Sequence, residues 1–241
     1  MKKILFIIDK IELKYFEFNN LVTNFWMIKE FLERGNQVFI TTISNLSLKQ
    51  DVAYTKCFET FTDKNNIFYK DIKIEKEIND FDLVMFRPDP PVDIDYINAT
   101  YIFDFVTKPK VINSPQAIRD FNEKLHSVYF KELMTDNIVT ASLEEIEAFL
   151  AKYKQIVLKP LNRCFGSGVM YLYEGDPNTR TIINTMTNNE TTLVMVQEFI
   201  PAVKQGDKRV LTLGNNVLKY CIKKLPTNDD FKFNTHNDNF I

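Results

Sequence analysis

Lys159-Pro-Leu-Asn-Arg-Cys-Phe-Gly-Ser-Gly-Val169 closes an apolar run with a lysine and then holds two of the chain's six glycines in a short loop. A second apolar run, Met170-Tyr-Leu-Tyr173, follows. A strand fixes the ammonium group, and a glycine-bearing turn lets backbone N–H groups approach an anion without Cβ obstruction. The pattern fits a phosphate site. It also fits a plain hairpin, so other segments must decide between the two.

Asn122-Glu-Lys-Leu125 puts a further lysine at a domain junction, and Val194-Met-Val-Gln-Glu-Phe-Ile-Pro201 reads as an apolar strand ending in Gln197 and Glu198 before a proline turn. Gly206-Asp-Lys-Arg-Val210 then brings an acid, a lysine and an arginine into another strand-like run. Lysines for phosphates, a backbone hinge, an acid for hydroxyls and an arginine for developing charge are the needs of an ATP-dependent acyl-phosphate enzyme.

With these pieces, the chain resembles the bacterial glutathione synthetases, members of the ATP-grasp ligases. The resemblance runs in order through Arg87-Pro-Asp-Pro-Pro91, Ala99-Thr-Tyr-Ile102, Asn113-Ser-Pro-Gln-Ala-Ile-Arg-Asp120, Asn122-Glu-Lys-Leu125, Leu158-Lys-Pro-Leu161, Glu174-Gly-Asp-Pro-Asn178 and Gly206-Asp-Lys-Arg-Val-Leu211. It implies an α/β fold: an N-terminal parallel-sheet (pre-ATP-grasp) domain over 1–121, then an incomplete α+β ATP-grasp domain over 122–241. Within the latter, 122–200 would be a nucleotide-binding lobe and 201–241 the start of the C-terminal lobe. It implies an ATP-dependent carbon–nitrogen ligase that joins γ-glutamylcysteine to glycine. The alternative is a catalytically incomplete relative that binds nucleotide or a protein partner without turnover.

The same resemblance implies site residues. Lys124 and Lys159 would contact ATP phosphates beneath a flap of Gly166, Ser167 and Gly168. The hinge of Gln197, Glu198, Phe199 and Ile200 would meet adenine, and Asp207 would hold the ribose. Arg209 would stabilise the transferring phosphoryl group, although Lys208-Arg209 also suits a solvated basic face. Lys224 stands where the family has an arginine. Asp9, Arg87 and Asp89 would lie by the peptide substrate, and the Arg87–Pro91 loop suits a purely structural proline turn equally well. Mg²⁺ is expected for the family, but its ligands are expected to lie in a C-terminal part missing from this chain. Asp229, Asp230, Asp238 and Asn239 do not repeat the family's ligand pattern, so no metal ligand is assigned. Homo-oligomers are also implied.

Composition sets bounds. The chain has 241 residues, 45% of them apolar, and its 30 basic and 32 acidic residues leave a net charge of −2 with no long basic run. Nucleic acid is disfavoured as a partner. The apolar stretch before Asp9 is too short for an export core or a membrane span, so it reads as a buried strand. Cys57, Cys164 and Cys221 lack zinc or disulfide spacing, which suits a cytoplasmic setting. His126 and His236 are isolated and read as packing or solvated residues.

The periodicity predicts a strand at 4–8, a helix on Leu21, Phe25, Ile28 and Leu32 that stops at Gly35, and strands at 38–42, 83–86 and 111–112. Residues 43–80 read as a long excursion with one short strand near Ile67–Tyr69. Ser114-Pro115 predicts a helix start, and Ser142 with Glu145 predicts a capping box. Strands at 155–159 and 169–173, a helix from Pro177 to about Thr187 and a strand at 193–196 complete the reading.

Overall fold

A computed structural model of the chain describes residues 1–9, 22–64, 66–164 and 166–225. The chain divides into two compact units, Met1–Phe121 and Asn122–Ile241.

The first unit is built on β1 (Lys3–Ile7). Leu5 and Ile7 enter one cluster with Phe39, Phe81, Phe86 and Tyr96, while Ile4, Phe6 and Ile8 enter another with Phe25, Ile28, Val38 and Ile40. Both faces are covered, which is why the strand is an unbroken apolar run. α1 (Thr23–Glu33) turns Phe25 and Ile28 inward and is followed by Gly35 at φ +76°. Leu21, expected on the same face, lies outside the described residues. β2 (Gln37–Thr41) pairs parallel with β1.

The expected excursion over 43–80 is mostly sheet. β3 (Leu46–Lys49), β4 (Val52–Asp63), β5 (Asn66–Tyr69) and β6 (Ile74–Glu77) form antiparallel pairs along β4. Hydropathy hides β4 because its buried positions are Ala53, Thr55, Cys57 and Thr60, whereas Tyr54 and Phe58 are less buried. The threonines are satisfied inside: Thr55 Oγ1 donates to Thr41 Oγ1 at 2.9 Å, and Thr60 Oγ1 donates to the Val38 carbonyl at 2.8 Å. A strand whose inner side is small or polar gives no apolar alternation.

β7 (Leu83–Phe86), α2 (Ile94–Ile102), β8 (Lys110–Ile112) and α3 (Pro115–Asp120) complete this unit. Ser114 caps α3 by accepting the Ala117 N–H at 3.3 Å. The sheet runs β3-β4-β2-β1-β7-β8, with β7 parallel to both β1 and β8. From β1 the chain goes first to β2 on one side, and β7 lies on the other. The strand order therefore reverses at β1, and in open α/β sheets ligands bind at the C-terminal ends of the strands at such a switch point.

The second unit contains β9 (Asn137–Thr140), α4 (Leu143–Tyr153), β10 (Gln155–Pro160), β11 (Met170–Tyr173), α5 (Thr179–Met186) and β12 (Val194–Glu198). Its four-stranded sheet is antiparallel throughout, in the order β11-β10-β12-β9. Ser142 accepts the Glu145 N–H at 3.3 Å, but the return half of the capping box is relayed. The Ser142 N–H donates to Thr140 Oγ1 at 3.0 Å, and that hydroxyl donates to the Glu145 carboxylate.

Ile146, Phe149 and Leu150 of α4 and Ile183 of α5 cover Ile156, Leu158, Leu172, Val194 and Val196. Strand alternation then puts Val157, Lys159, Met195 and Gln197 on the opposite face. A two-stranded ribbon, β13 (Asp207–Leu213) with β14 (Asn216–Lys224), follows a turn at Pro201–Gln205.

Candidate functional site

The second unit brings two lysines and a glycine turn together at the end of β10. In register, Lys159 lies opposite Met195 and Val157 opposite Gln197. The half-buried Lys159 ammonium donates to Gln197 Oε1. Burial pushes its pKa below the ordinary lysine value, and the nearby positive charge of Lys124 lowers it further. The Lys124 ammonium donates to the backbone carbonyl of Arg163, inside the glycine loop, and pairs with Glu123 at 2.6 Å. Like charges held this close attract an anion.

The loop itself is a tight turn. Gly166 and Gly168 both have φ +71°, Ser167 N–H donates to the Cys164 carbonyl at 3.0 Å, and Val169 N–H donates to the Gly166 carbonyl at 3.2 Å. A Cβ on Gly168 would come within 2.9 Å of Pro160 Cγ, so glycine allows the turn to lie against the lysine-bearing strand end. An ammonium pair beside positive-φ glycines is a donor set suited to a polyphosphate.

The hinge residues are partly engaged already. Glu198 N–H donates to the Asp136 carbonyl at 3.0 Å and Phe199 N–H to the Gln155 carbonyl at 3.1 Å. The Ile200 carbonyl accepts the Val203 N–H at 3.0 Å. The rings of Phe199 and Tyr171 lie 4.8 Å apart.

Asp207, Arg209 and Lys224 lie on the ribbon, not on the lysine-bearing sheet. Asp207 is directly opposite Lys224 and Arg209 opposite Ile222, so the three share one ribbon face. Lys224 is buried, and a Cβ on Gly206 (φ +96°) would come 2.3 Å from its carbonyl oxygen.

The first unit brings Asp9, Arg87 and Asp89 together at the strand ends where the strand order reverses. Asp9 follows β1 and Arg87 follows β7; the Asp89 N–H donates to Asp9 Oδ2 at 2.6 Å. Burial raises the Asp9 pKa, and the charge of Asp89 adds to this against the hydrogen bond from the Asp89 N–H. Asp89 is also raised by burial, with Arg87 opposing.

Two residues here escape sequence reasoning. Buried Asn24 accepts a hydrogen bond from Arg87 Nε through its Oδ1. Tyr96 donates from its hydroxyl to the Pro88 carbonyl at 3.1 Å, and burial, with the charges of Asp9 and Asp89, pushes its pKa up to about 12. Asn24 did carry a signal, since it sits four residues before Ile28 on the apolar face of α1.

Among the described residues no group of three or more His, Cys, Asp or Glu side chains gathers as a metal donor set. Asp229, Asp230, Asp238 and Asn239 lie outside the described residues. Among the described residues, no helix is long and apolar enough to cross a membrane.

The family models "Prokaryotic glutathione synthetase, N-terminal domain" and "Prokaryotic glutathione synthetase, ATP-grasp domain" match residues 2–119 and 123–239. The chain belongs to the prokaryotic glutathione synthetase family. It is 35% identical over 218 residues to the glutathione synthetase of Vibrio parahaemolyticus, covering 88% of this chain and 68% of that one. The Neisseria meningitidis serogroup A glutathione synthetase is also 35% identical, over 221 residues, with 88% and 69% covered.

A D-cycloserine synthetase shares the fold of this glutathione synthetase family member at TM-score 0.63 and 14% identity, covering 92% of this chain and 68% of the other. D-alanyl-alanine synthetase A from Vibrio cholerae does so at TM-score 0.57 and 11% identity, covering 93% and 68%. Membership of the glutathione synthetase family makes the chain an ATP-dependent ligase of that type, with the ATP-grasp fold.

Proposed function

We propose that the chain joins γ-glutamylcysteine to glycine, using ATP and releasing glutathione, ADP and phosphate. The observation that carries this reading is the meeting of Lys124, Lys159 and the Gly166–Gly168 turn at one strand end. In the first step a carboxylate oxygen of γ-glutamylcysteine attacks the γ-phosphorus, and ADP leaves with the electron pair of the broken P–O bond. In the second the neutral glycine amine attacks the acyl carbon, phosphate leaves with the C–O pair, and a proton passes to solvent. Neither step needs a catalytic histidine; each needs charge neutralised and reactants aligned.

On this reading Lys124 and Lys159 hold phosphate oxygens, and Gly166, Ser167 and Gly168 close over them. Gln197, Glu198, Phe199 and Ile200 meet adenine through groups not already used within the sheet. Asp207 holds the ribose, while Arg209 and Lys224 meet developing negative charge. Asp9, Arg87 and Asp89 take the peptide substrate, so 1–121 is the substrate-side domain, 122–200 the nucleotide lobe and 201–241 the start of a further lobe. Mg²⁺ belongs to the proposal as the ion accompanying ATP, and none of the described residues is assigned to it. Cys57, Cys164 and Cys221 lie far apart in sequence without disulfide or zinc spacing, which supports a cytoplasmic setting.

The test is ADP release by the purified chain. Release that requires both γ-glutamylcysteine and glycine supports the ligase reading. ATP binding without ADP under any combination of substrates supports instead a relative that binds without turnover, and release with another amino acid in place of glycine redirects the specificity.

A further inference from the structure

Asn122 opens the second unit, and none of the functions above uses its side chain. That side chain bridges two segments 39 residues apart. Its Nδ2 donates to the Leu161 carbonyl at 2.8 Å, just beyond the Lys159-Pro160 strand end, while its Oδ1 accepts the N–H groups of Lys124 at 2.9 Å and Leu125 at 3.0 Å. Its own N–H donates to His126 Nδ1 at 2.8 Å, and its carbonyl accepts the His126 N–H at 3.1 Å. The Lys124 backbone is thereby fastened to the strand end from which Lys159 projects.

We propose that Asn122 is a positioning residue that holds the Lys124 and Lys159 ammonium groups at one spacing, facing a single polyphosphate. Two like charges on long, flexible side chains repel, and with nothing to join their backbones they would separate. Joining the backbones beforehand removes ordering that the ligand would otherwise have to impose. The Lys124 contact with the Arg163 carbonyl lies on the same loop and completes the connection. The proposal rests on the reading that both lysines bind ATP phosphates.

The experiment compares ATP with adenosine on Asn122→Ala and Asn122→Ser by calorimetric titration of the whole chain, with Lys124→Ala and Lys159→Ala as references. Serine can still cap the Lys124 N–H but is too short to reach the Leu161 carbonyl, so it separates the local cap from the long-range link. Both Asn122 variants should weaken ATP roughly tenfold, the worth of about one hydrogen bond. Adenosine binding should not change.

Full recovery by serine, an equal loss for adenosine, or no loss for ATP overturns the proposal. If the lysine variants weaken ATP while the Asn122 variants do not, the phosphate reading stands and the proposal alone fails. If the lysine variants leave ATP binding unchanged, the phosphate reading fails and takes the proposal with it. Should the alanine variant not fold, the serine variant, which keeps the local cap, decides by the same comparison.

Discussion

The two candidate sites carry charges of opposite sign, and burial drives both toward neutrality. Beyond the ends of β1 and β7 it raises Asp9 and Asp89, and at the end of β10 it lowers Lys159. A charge partly removed from water gains most from a ligand of the other sign, because little solvent must be displaced a second time. The first site mixes two carboxylates with Arg87 and so suits a zwitterion, whereas the second sets two ammonium groups beside a glycine turn and suits a polyphosphate. On the proposed reading one chain thus holds two selectivities, separated by sign of charge.

The comparison breaks most readily at Lys159. Lys159→Ala should weaken ATP binding roughly a hundredfold, the worth of charge-assisted hydrogen bonds to phosphate. Its melting temperature should hold or rise, because the variant no longer buries an ammonium. A loss of ATP affinity under threefold would falsify the phosphate reading. Next in size is Arg87→Lys, which keeps the charge but loses the planar fork that meets Asn24 through Nε. It should weaken γ-glutamylcysteine roughly tenfold and leave ATP alone. An equal effect on both ligands would erase the distinction between the sites.

Sequence reasoning reached the two sites unevenly. The elements of the second unit follow from signals of ordinary strength: Ile146, Phe149 and Leu150 at helical spacing, a serine cap at 142, and a strand closed by Lys159. β4 was hidden because Thr55 and Thr60 face inward and are satisfied by Thr41 Oγ1 and the Val38 carbonyl, contacts that no hydropathy pattern records. The capping box was half visible, since Thr140 enters it from the preceding strand. Asn24 and Tyr96 were missed because their partners, Arg87 and Pro88, are distant in sequence or belong to a loop whose path only the fold sets. Individual residues of a site can be named from motifs; the polar contacts that aim them depend on tertiary approach.

A smaller effect sharpens the charge contrast through pH. On the proposed reading Lys159 meets phosphate as the ammonium, so ATP affinity should fall as pH rises through its lowered pKa, earlier than for an ordinary lysine. Lys124→Ala removes one cause of the lowering and should move that fall to higher pH, even as it weakens binding overall. Without ligand the sign reverses. The unfolded chain keeps the Lys159 proton up to the ordinary lysine value, so between the two pKa values it binds more protons and stability rises with pH. Titrations across the alkaline range check both slopes, and an unmoved fall in Lys124→Ala would separate the two ammonium groups.

The smallest effect is expected at Asp9. Asn in its place can still accept the Asp89 N–H, so Asp9→Asn keeps the contact and removes only the charge. Because the native carboxyl is raised by burial, the folded chain binds the extra proton between the ordinary carboxylate value and the raised one. Its stability therefore falls as pH rises through that window. The asparagine variant should lose this slope and melt roughly 2 °C higher than the parent above the window, converging with it below. γ-Glutamylcysteine should bind more weakly to the same variant, since the charge that costs stability is the one offered to the ligand. A variant that melts higher yet binds the peptide as before would mean that burial of this carboxylate serves the fold, leaving Asp89 and Arg87 to carry recognition.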